Sequence, residues 1–451
     1  MHVLPQLRKL EDQFPDILAV IGVHSPKFTA ERELANLRQA VLRYDIRHPV
    51  VSDDRRLIWD SYAVSAWPTS VFIDPTGRVI GQHPGEFEAA DYSALITALA
   101  EDFHAQGKLD RTPLPISLER DREPSRTLDF PGKVLTDPAA GRLLIADTGH
   151  HRILVVDMNG HIQTIIGSGE PGLIDGDFES AAFRSPQGMA IDGDVLYIAD
   201  LENHSIRRAD LAERRVERIA GTGEQLRLPR RGGPALSSSL TSPWDLALTP
   251  PSPPLSDGGM LYIAMAGNHQ IWALDLNAGE VCRFAGTGRE ALGDGTLQRC
   301  ALAQPSGLSL CNNRLYFADS ESSAVRVADI DADRVDTIVG EGLFDFGDRD
   351  GVGREARLQH CLGISARDGM LYVADTYNNK IKRIDPADRS CHTFLGTGEA
   401  GHRDGPGETA TFWEPGGVCV SDDQLYIADT NNHCIRVADL NTREVRTLEI
   451  G

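Results

Sequence analysis

The first 281 residues contain no cysteine, and the seven cysteines that follow, at 282, 300, 311, 361, 391, 419 and 434, include no Cys-x-x-Cys pair. A dithiol redox centre is therefore excluded within the 451 residues. Scattered single thiols fit a reducing compartment, so a cytoplasmic location is expected. No stretch approaches the roughly 18 consecutive apolar residues of a membrane-crossing helix. The opening residues, MHVLPQLRKLEDQF, lack the apolar core of a signal peptide. Positive charge is scarce: 45 Lys and Arg against 66 Asp and Glu leave a net charge of −21, which argues against a broad phosphate-binding surface. The basic cluster Arg227, Arg230 and Arg231 sits in a loop among prolines and serines. Neither nucleic acid nor a membrane is expected as a partner. No P-loop, Gly-x-Ser-x-Gly or dinucleotide fingerprint stands between a strand and a helix. No helical period interrupts residues 130–451, which excludes helical repeats.

What those residues do contain is one short pattern returning six times. The cleanest copy runs from Leu425 to Arg436 as LYIADTNNHCIR, and its sisters are LLIADTGHHRIL, LYIADLENHSIR, LYIAMAGNHQIW, LYFADSESSAVR and LYVADTYNNKIK. The aspartates fall at Asp147, Asp200, Asp319, Asp375 and Asp429, with Met265 in the third copy. Each repeat opens on Pro-x-Gly, as in Pro186-Gln187-Gly188, Pro305-Ser306-Gly307 and Pro415-Gly416-Gly417; Pro131-Gly132 and Pro243-Trp244-Asp245 are degenerate forms. Four short strands separated by Gly, Asn and Asp turns follow, closing on a motif such as Gly221-Thr222-Gly223. A lone four-stranded sheet cannot cover both its faces; stacking such sheets radially does so, which is the logic of a propeller.

The set Pro-x-Gly, Leu-Tyr-[Ile/Val]-Ala-Asp and Asn-His-x-Ile resembles the NHL repeat. That resemblance implies a six-bladed β-propeller over residues 130–451. The last copy keeps Val445–Ile450 as its own outer strand, so blades six and one are expected to close by packing; alternatively, Pro113–Glu119 adds a strand.

Before the ring the pattern changes. Residues 2–14 read as an amphipathic helix, Asp16–His24 as a buried strand, 31–44 as a helix and Pro49–Asp53 as a strand. Arg56–Tyr62 reads as helical, Ser70–Asp74 with Arg78–Gly81 as a hairpin, and 88–105 as a closing helix. Together they describe an α/β three-layer domain over residues 1–105, joined to the ring by a polar, proline-containing linker at 106–129. Within it, the stretch from Ala66 to Ile80, AWPTSVFIDPTGRVI, resembles the segment of thioredoxin-like redoxins that carries a cis-proline. The resemblance makes Trp67, Pro68 and Thr69 the candidate redox-like site. It also implies a Cys pair preceding Met1, since Pro5 matches a proline that follows the second Cys in that family. Across its whole length the chain resembles the NHL repeat-containing protein 2 family, a thioredoxin-like domain followed by an NHL propeller. The family's N-terminal Cys motif and its C-terminal β-domain are not found in these residues.

The remaining polar motifs read as framework. The repeat aspartates are expected to cap strand ends. The Asn-His pairs (Asn203-His204, Asn268-His269, Asn432-His433) are spread around a ring, too far apart for one tetrahedral metal site. The Asp-Gly loops at Asp175-Gly176-Asp177, Asp348–Gly351 and Asp404-Gly405 lack the ligand series of a calcium loop and are expected to be turns. No metal or cofactor is expected, and a monomer is. Three functions remain open: an interaction scaffold linked to redox homeostasis, a thiol–disulfide oxidoreductase whose cysteines lie upstream, and a propeller lyase or hydrolase. A protein partner is expected on one loop-bearing face, through the insertions Gln225–Ser239 and Thr249–Gly259.

Overall fold

A computed structural model describes residues 3–112, 114–226, 232–249 and 259–451. The chain divides into two compact units, Met1–Ser125 and Arg126–Gly451. In the first unit, helix α1 (Val3–Gln13) spaces Val3, Leu7 and Leu10 along one side and buries them with Phe14 against helix α4 (Ala89–Ala105) and Phe87. A capping box between Glu88 and Asp91 starts α4. Strand β1 (Gly22–His24) pairs in parallel with β2 (Val50–Ser52); helix α2 (Leu34–Arg43) lies between them in sequence. Helix α3 (Leu57–Ser61) leads to the hairpin β3 (Thr69–Ile73) and β4 (Val79–Pro84). The hairpin turn is set by Asp74, whose Oδ1 accepts the Thr76 and Arg78 amides, and by Gly77 at φ 83°.

Two expectations for this unit need correction. The apolar run at Asp16–His24 is a strand only at Gly22–His24. β1 has one strand neighbour, and Ile21 and Val23 are 60% and 44% exposed, so the burial that would hold a longer strand is missing. The sheet is likewise two separate two-stranded pieces rather than one continuous layer. Within 106–129, Glu119–Arg122 forms a 3-10 turn tied to the first unit by Arg38–Glu119 and Arg120–Asp45 ion pairs.

The second unit is a closed ring of six antiparallel sheets, each with its inner, second, third and outer strands consecutive in sequence. In blade two these are Pro186–Asp192, Val195–Asp200, Ser205–Asp210 and Arg215–Ala220. Apolar side chains alternate along them and meet those of the next blade in six clusters, one per interface. The cluster joining blade six to blade one contains Leu128, Leu143, Leu154, Tyr426 and Ile435. The four-strand grammar was incomplete. Blades two to six each gain a short fifth strand from the connection that precedes them, at Gly176–Asp177, Gly232–Pro234, Gly295–Thr296, Gly351–Val352 and Gly405–Pro406. In the Asp-Gly segments read as turns, the glycine thus starts an edge strand, at Gly176, Gly351 and Gly405. They cover the outer edge of each blade, which would otherwise present unpaired backbone. Blade six keeps Glu444–Leu448 as its own outer strand, and the chain then runs to blade one, where Gly451 exchanges hydrogen bonds with Gly160 and Ile162 (3.1 and 3.0 Å). Residues 114–119 form no strand, and Pro113 lies outside the described residues.

Candidate functional site

The axis of the ring is where a propeller enzyme would hold its chemistry. The opening motifs bring the six inner strands there at very close range, with Cys361-Leu362-Gly363 in place of Pro-x-Gly in blade five. A Cβ on Gly188 would stand 2.3 Å from Asp245 Cα, and one on Gly417 would stand 2.8 Å from Lys133 Cα, so only glycine fits. In the two degenerate motifs, the third position holds Lys133 and Asp245. These two meet across the axis: Lys133 Nζ donates to Asp245 Oδ2 (3.0 Å), to the Ser306 carbonyl (3.2 Å) and to the Leu362 carbonyl (2.8 Å). Both side chains are buried. The axis is therefore filled by an ion pair, and no group of three metal-ligating side chains occurs among the described residues.

The repeat aspartates do the work expected of them. All five are fully buried, and each Oδ1 accepts a backbone amide from the chain entering its blade: Asp129 to Asp147, Arg184 to Asp200, Ala303 to Asp319, Gln359 to Asp375 and Trp413 to Asp429. Sequence reasoning missed their partners. Arg207, Arg326 and Arg436, each seven residues on, bind the other oxygen at 2.9 Å while their second nitrogen reaches Asp175, Asp294 and Asp404 of the preceding connection. In blade three both members change together. Met265 replaces the aspartate and Trp272 the arginine, both fully buried, exchanging an ion pair for apolar packing. In blade five the basic residue is Lys382, which bonds Asp348, Asp350 and Thr393 instead of Asp375. Burial pushes the Asp375 carboxyl up to about 7, against the opposing pull of Lys382 and Asn378. Burial pushes Asp200 up to about 6, opposed by Arg207 and Asn203.

The Asn-His motif is a latch rather than a ligand set. His151, His204, His269 and His433 all sit in left-handed backbone, and each Nδ1 accepts the amide just before the next blade's inner strand, at 3.0–3.2 Å. Ser323 Oγ and Asn379 Oδ1 fill the same role at 3.0 and 2.8 Å. Six latches join the six blades in a ring, which is why His, Ser and Asn interchange there: each offers a short side-chain acceptor.

The first unit holds the other candidate. The Trp67–Pro68 peptide is cis. Trp67 Nε1 donates to the Ser25 carbonyl (2.8 Å), and Thr69 Oγ1 donates to the Ala66 carbonyl (2.7 Å). The Trp67 ring lies 4.5 Å from that of Trp59, with the Arg56 guanidinium over both. Trp59 lies in the WDSYAV stretch at 59–64, which with HPVVSDD at 48–54 resembles the redoxin pattern, whereas Arg56 had no sequence signal of its own. Beside them, Asp53 accepts the Ser25 hydroxyl and the Ile58 and Trp59 amides. Although desolvation works the other way, those bonds hold its carboxyl below the ordinary value. All seven cysteines are unpaired, and burial pushes the thiols of Cys300, Cys361, Cys391, Cys419 and Cys434 up, Cys391 to about 12. Such thiols are protonated and poor nucleophiles.

Of the expected partner-binding insertions, residues 227–231 and 250–258 lie outside the described residues, and so does the basic cluster Arg227, Arg230 and Arg231. Their attachment points are clear. One insertion precedes and the other follows the inner strand Pro243–Leu248 of blade three, so they leave from opposite ends of that strand.

The NHL repeat family model matches residues 412–438, in the sixth repeat. Human NHL repeat-containing protein 2 (Homo sapiens) is 43% identical over 479 residues, covering 100% of this chain and 66% of the relative. Protein SUPPRESSOR OF QUENCHING 1, chloroplastic, from Arabidopsis thaliana is 42% identical over 471 residues, covering 100% of this chain and 44% of the relative. A partial match joins 17% of the chain to 53% of the thiol-disulfide oxidoreductase YkuV of Bacillus subtilis (strain 168), at 23% identity. The chain spans just under two thirds of the length of the first of these relatives. No helix among the described residues is long and apolar enough to cross a membrane.

Proposed function

The chain belongs to the NHL repeat-containing protein 2 family, and on that premise we propose that it is an interaction scaffold whose propeller presents loop-bearing faces to a protein partner. The observation that carries this reading is the full engagement of the chemically capable repeat residues. Lys133 and Asp245 fill the axis, the repeat aspartates bind arginines and amides, and the histidines latch blades together. What is left to vary is the loops. The connection between blades four and five adds to them, setting Phe344 70% exposed on a stretch two residues longer than the 11-residue connections at 286–296 and 396–406. The test is affinity capture from source lysate with residues 225–239 and 249–259 shortened separately. Loss of a specific partner with one shortening and not the other is expected; full retention by both contradicts the proposal.

A second reading is thiol–disulfide chemistry in the first unit, supported by the partial oxidoreductase match and by the Trp67-Pro68-Thr69 turn. This chain should not itself reduce insulin disulfides, because residues 1–281 contain no thiol and five of the ring thiols are held protonated. Clear turnover by the 451-residue chain would show that argument wrong. A cytoplasmic location belongs with the same proposal, supported by seven unpaired thiols.

A further inference from the structure

Lys133 is placed for more than a salt bridge. It stands on the inner strand of blade one and reaches acceptors on blades three, four and five, which it can do only across the ring axis. An ammonium has three N–H donors, and the three contacts use all of them. The oxygens are one carboxylate and two main-chain carbonyls, the donor set that hard cations take from proteins. Asp245 is fixed in turn: its Oδ2 also accepts the Leu308 amide (3.0 Å), and its Oδ1 accepts its neighbour's, Leu246 (2.9 Å). The acceptors are thus held by backbone and by the carboxylate's own bonds, independently of the lysine.

A second observation gives this arrangement a task. Among the described residues no long strand is shared between the first and last blades, and the ring is joined there by apolar packing, the His433 latch, a hydrogen bond from Thr430 Oγ1 to the Pro131 carbonyl, and the Gly451 contact. Lys133 follows this joint by two residues and ties it to the opposite side of the ring. We infer that the Lys133 ammonium is a tethered cation, occupying an oxygen-lined cation site on the axis and pinning the ring shut from there. The 2.8–3.2 Å distances exceed the calcium–oxygen range of about 2.3–2.6 Å. The free ion that fits in place of the side chain is therefore monovalent and of ammonium's size, namely ammonium itself or potassium.

Chemical rescue tests this with the full chain. Melting temperatures are measured for wild type, Lys133→Ala and Lys133→Ala/Asp245→Ala in ammonium, potassium and choline chlorides at equal ionic strength. Choline is too large for the site. Wild type should melt alike in all three. Lys133→Ala should melt lower in choline, by about 5 °C or more, and recover a large part of that loss in ammonium or potassium. The double variant should be indifferent to the cation and melt above Lys133→Ala in choline, since it buries no unpaired carboxylate. A Lys133→Ala chain that melts like wild type, or that loses the same amount in every salt, overturns the proposal. Where Lys133→Ala gives no folded protein, Lys133→Gln, neutral and of similar length, replaces it. A lower melting temperature is then expected, and an unchanged one overturns the pin. If neither variant is recovered, the refolding yield of Lys133→Ala in potassium against choline chloride decides: a higher yield in potassium supports the site, and equal yields overturn it.

Discussion

Asp375 is the repeat aspartate whose basic neighbour, Lys382, bonds elsewhere, and its carboxyl is pushed up to about 7 mainly by burial. The folded chain thus holds this proton more tightly than the unfolded chain, whose value is near 3.8. Its contribution to stability is greatest in acid, declines as pH rises from about 4 to about 7, and is lost above that. Lys382→Arg should supply the bond that Arg207, Arg326 and Arg436 supply in sister blades. The expected gain is on the order of 1–2 kcal/mol at pH 8 and less at pH 5, read from urea unfolding at both values; an equal change at both would contradict it. At the latch, His204→Ala should cost about 1 kcal/mol in the same assay, while His204→Asn, the arrangement native to blade five, should cost little. A full loss with Asn would show that the ring, not the acceptor, matters. These roles were half legible. Met265 stood out in sequence as a lost aspartate, but its meaning lay seven residues on, in Trp272, where the sister repeats place Arg207, Arg326 and Arg436. Comparing the repeats in columns would have exposed that paired change; reading each copy for motifs did not.

At the scale of elements, the ring was readable because each blade repeats the same alternation and the same turn residues. The fifth strands were not. Gly176–Asp177 and its counterparts are two or three residues long, four of the five starting at the Gly of an Asp-Gly pair typical of turns, and they are strands only because a neighbouring outer strand receives them. The run Asp16–His24 failed in the opposite direction: apolar enough for a buried strand, it has a single pairing neighbour and leaves Ile21 and Val23 open. The Trp67 site shows the same limit. Its motif was visible, and so was the WDSYAV stretch that carries Trp59, but Arg56 joins them through tertiary packing alone. An element-scale prediction follows from blade one, which has no fifth strand among the described residues and meets Gly451 at that edge instead. Removing residues 449–451 deletes the bonds to Gly160 and Ile162 and takes away Ile450, which like Ile162 packs on the cluster joining blade six to blade one. Thermal unfolding should fall by a few degrees, with amide exchange accelerating first in Ile162–Ile166. Unchanged exchange there would rule out a closing role for the tail.

In the molecule as a whole, the ring is closed and its axis is filled by Lys133 and Asp245. The chain offers a sparse set of reporters for this: its lysines are Lys9, Lys27, Lys108, Lys133, Lys380 and Lys382. Lys9 and Lys108 are exposed, whereas Lys133 and Lys382 are buried. Brief reductive methylation of the native chain, followed by peptide mass spectrometry, reads each amine separately. Lys9 and Lys108 should be modified quickly, and Lys133 should stay unmodified until the chain is unfolded in urea, alongside Lys382. Modification of native Lys133 at the rate of Lys9 would mean that the axis is open to solvent and not filled by the Lys133–Asp245 pair.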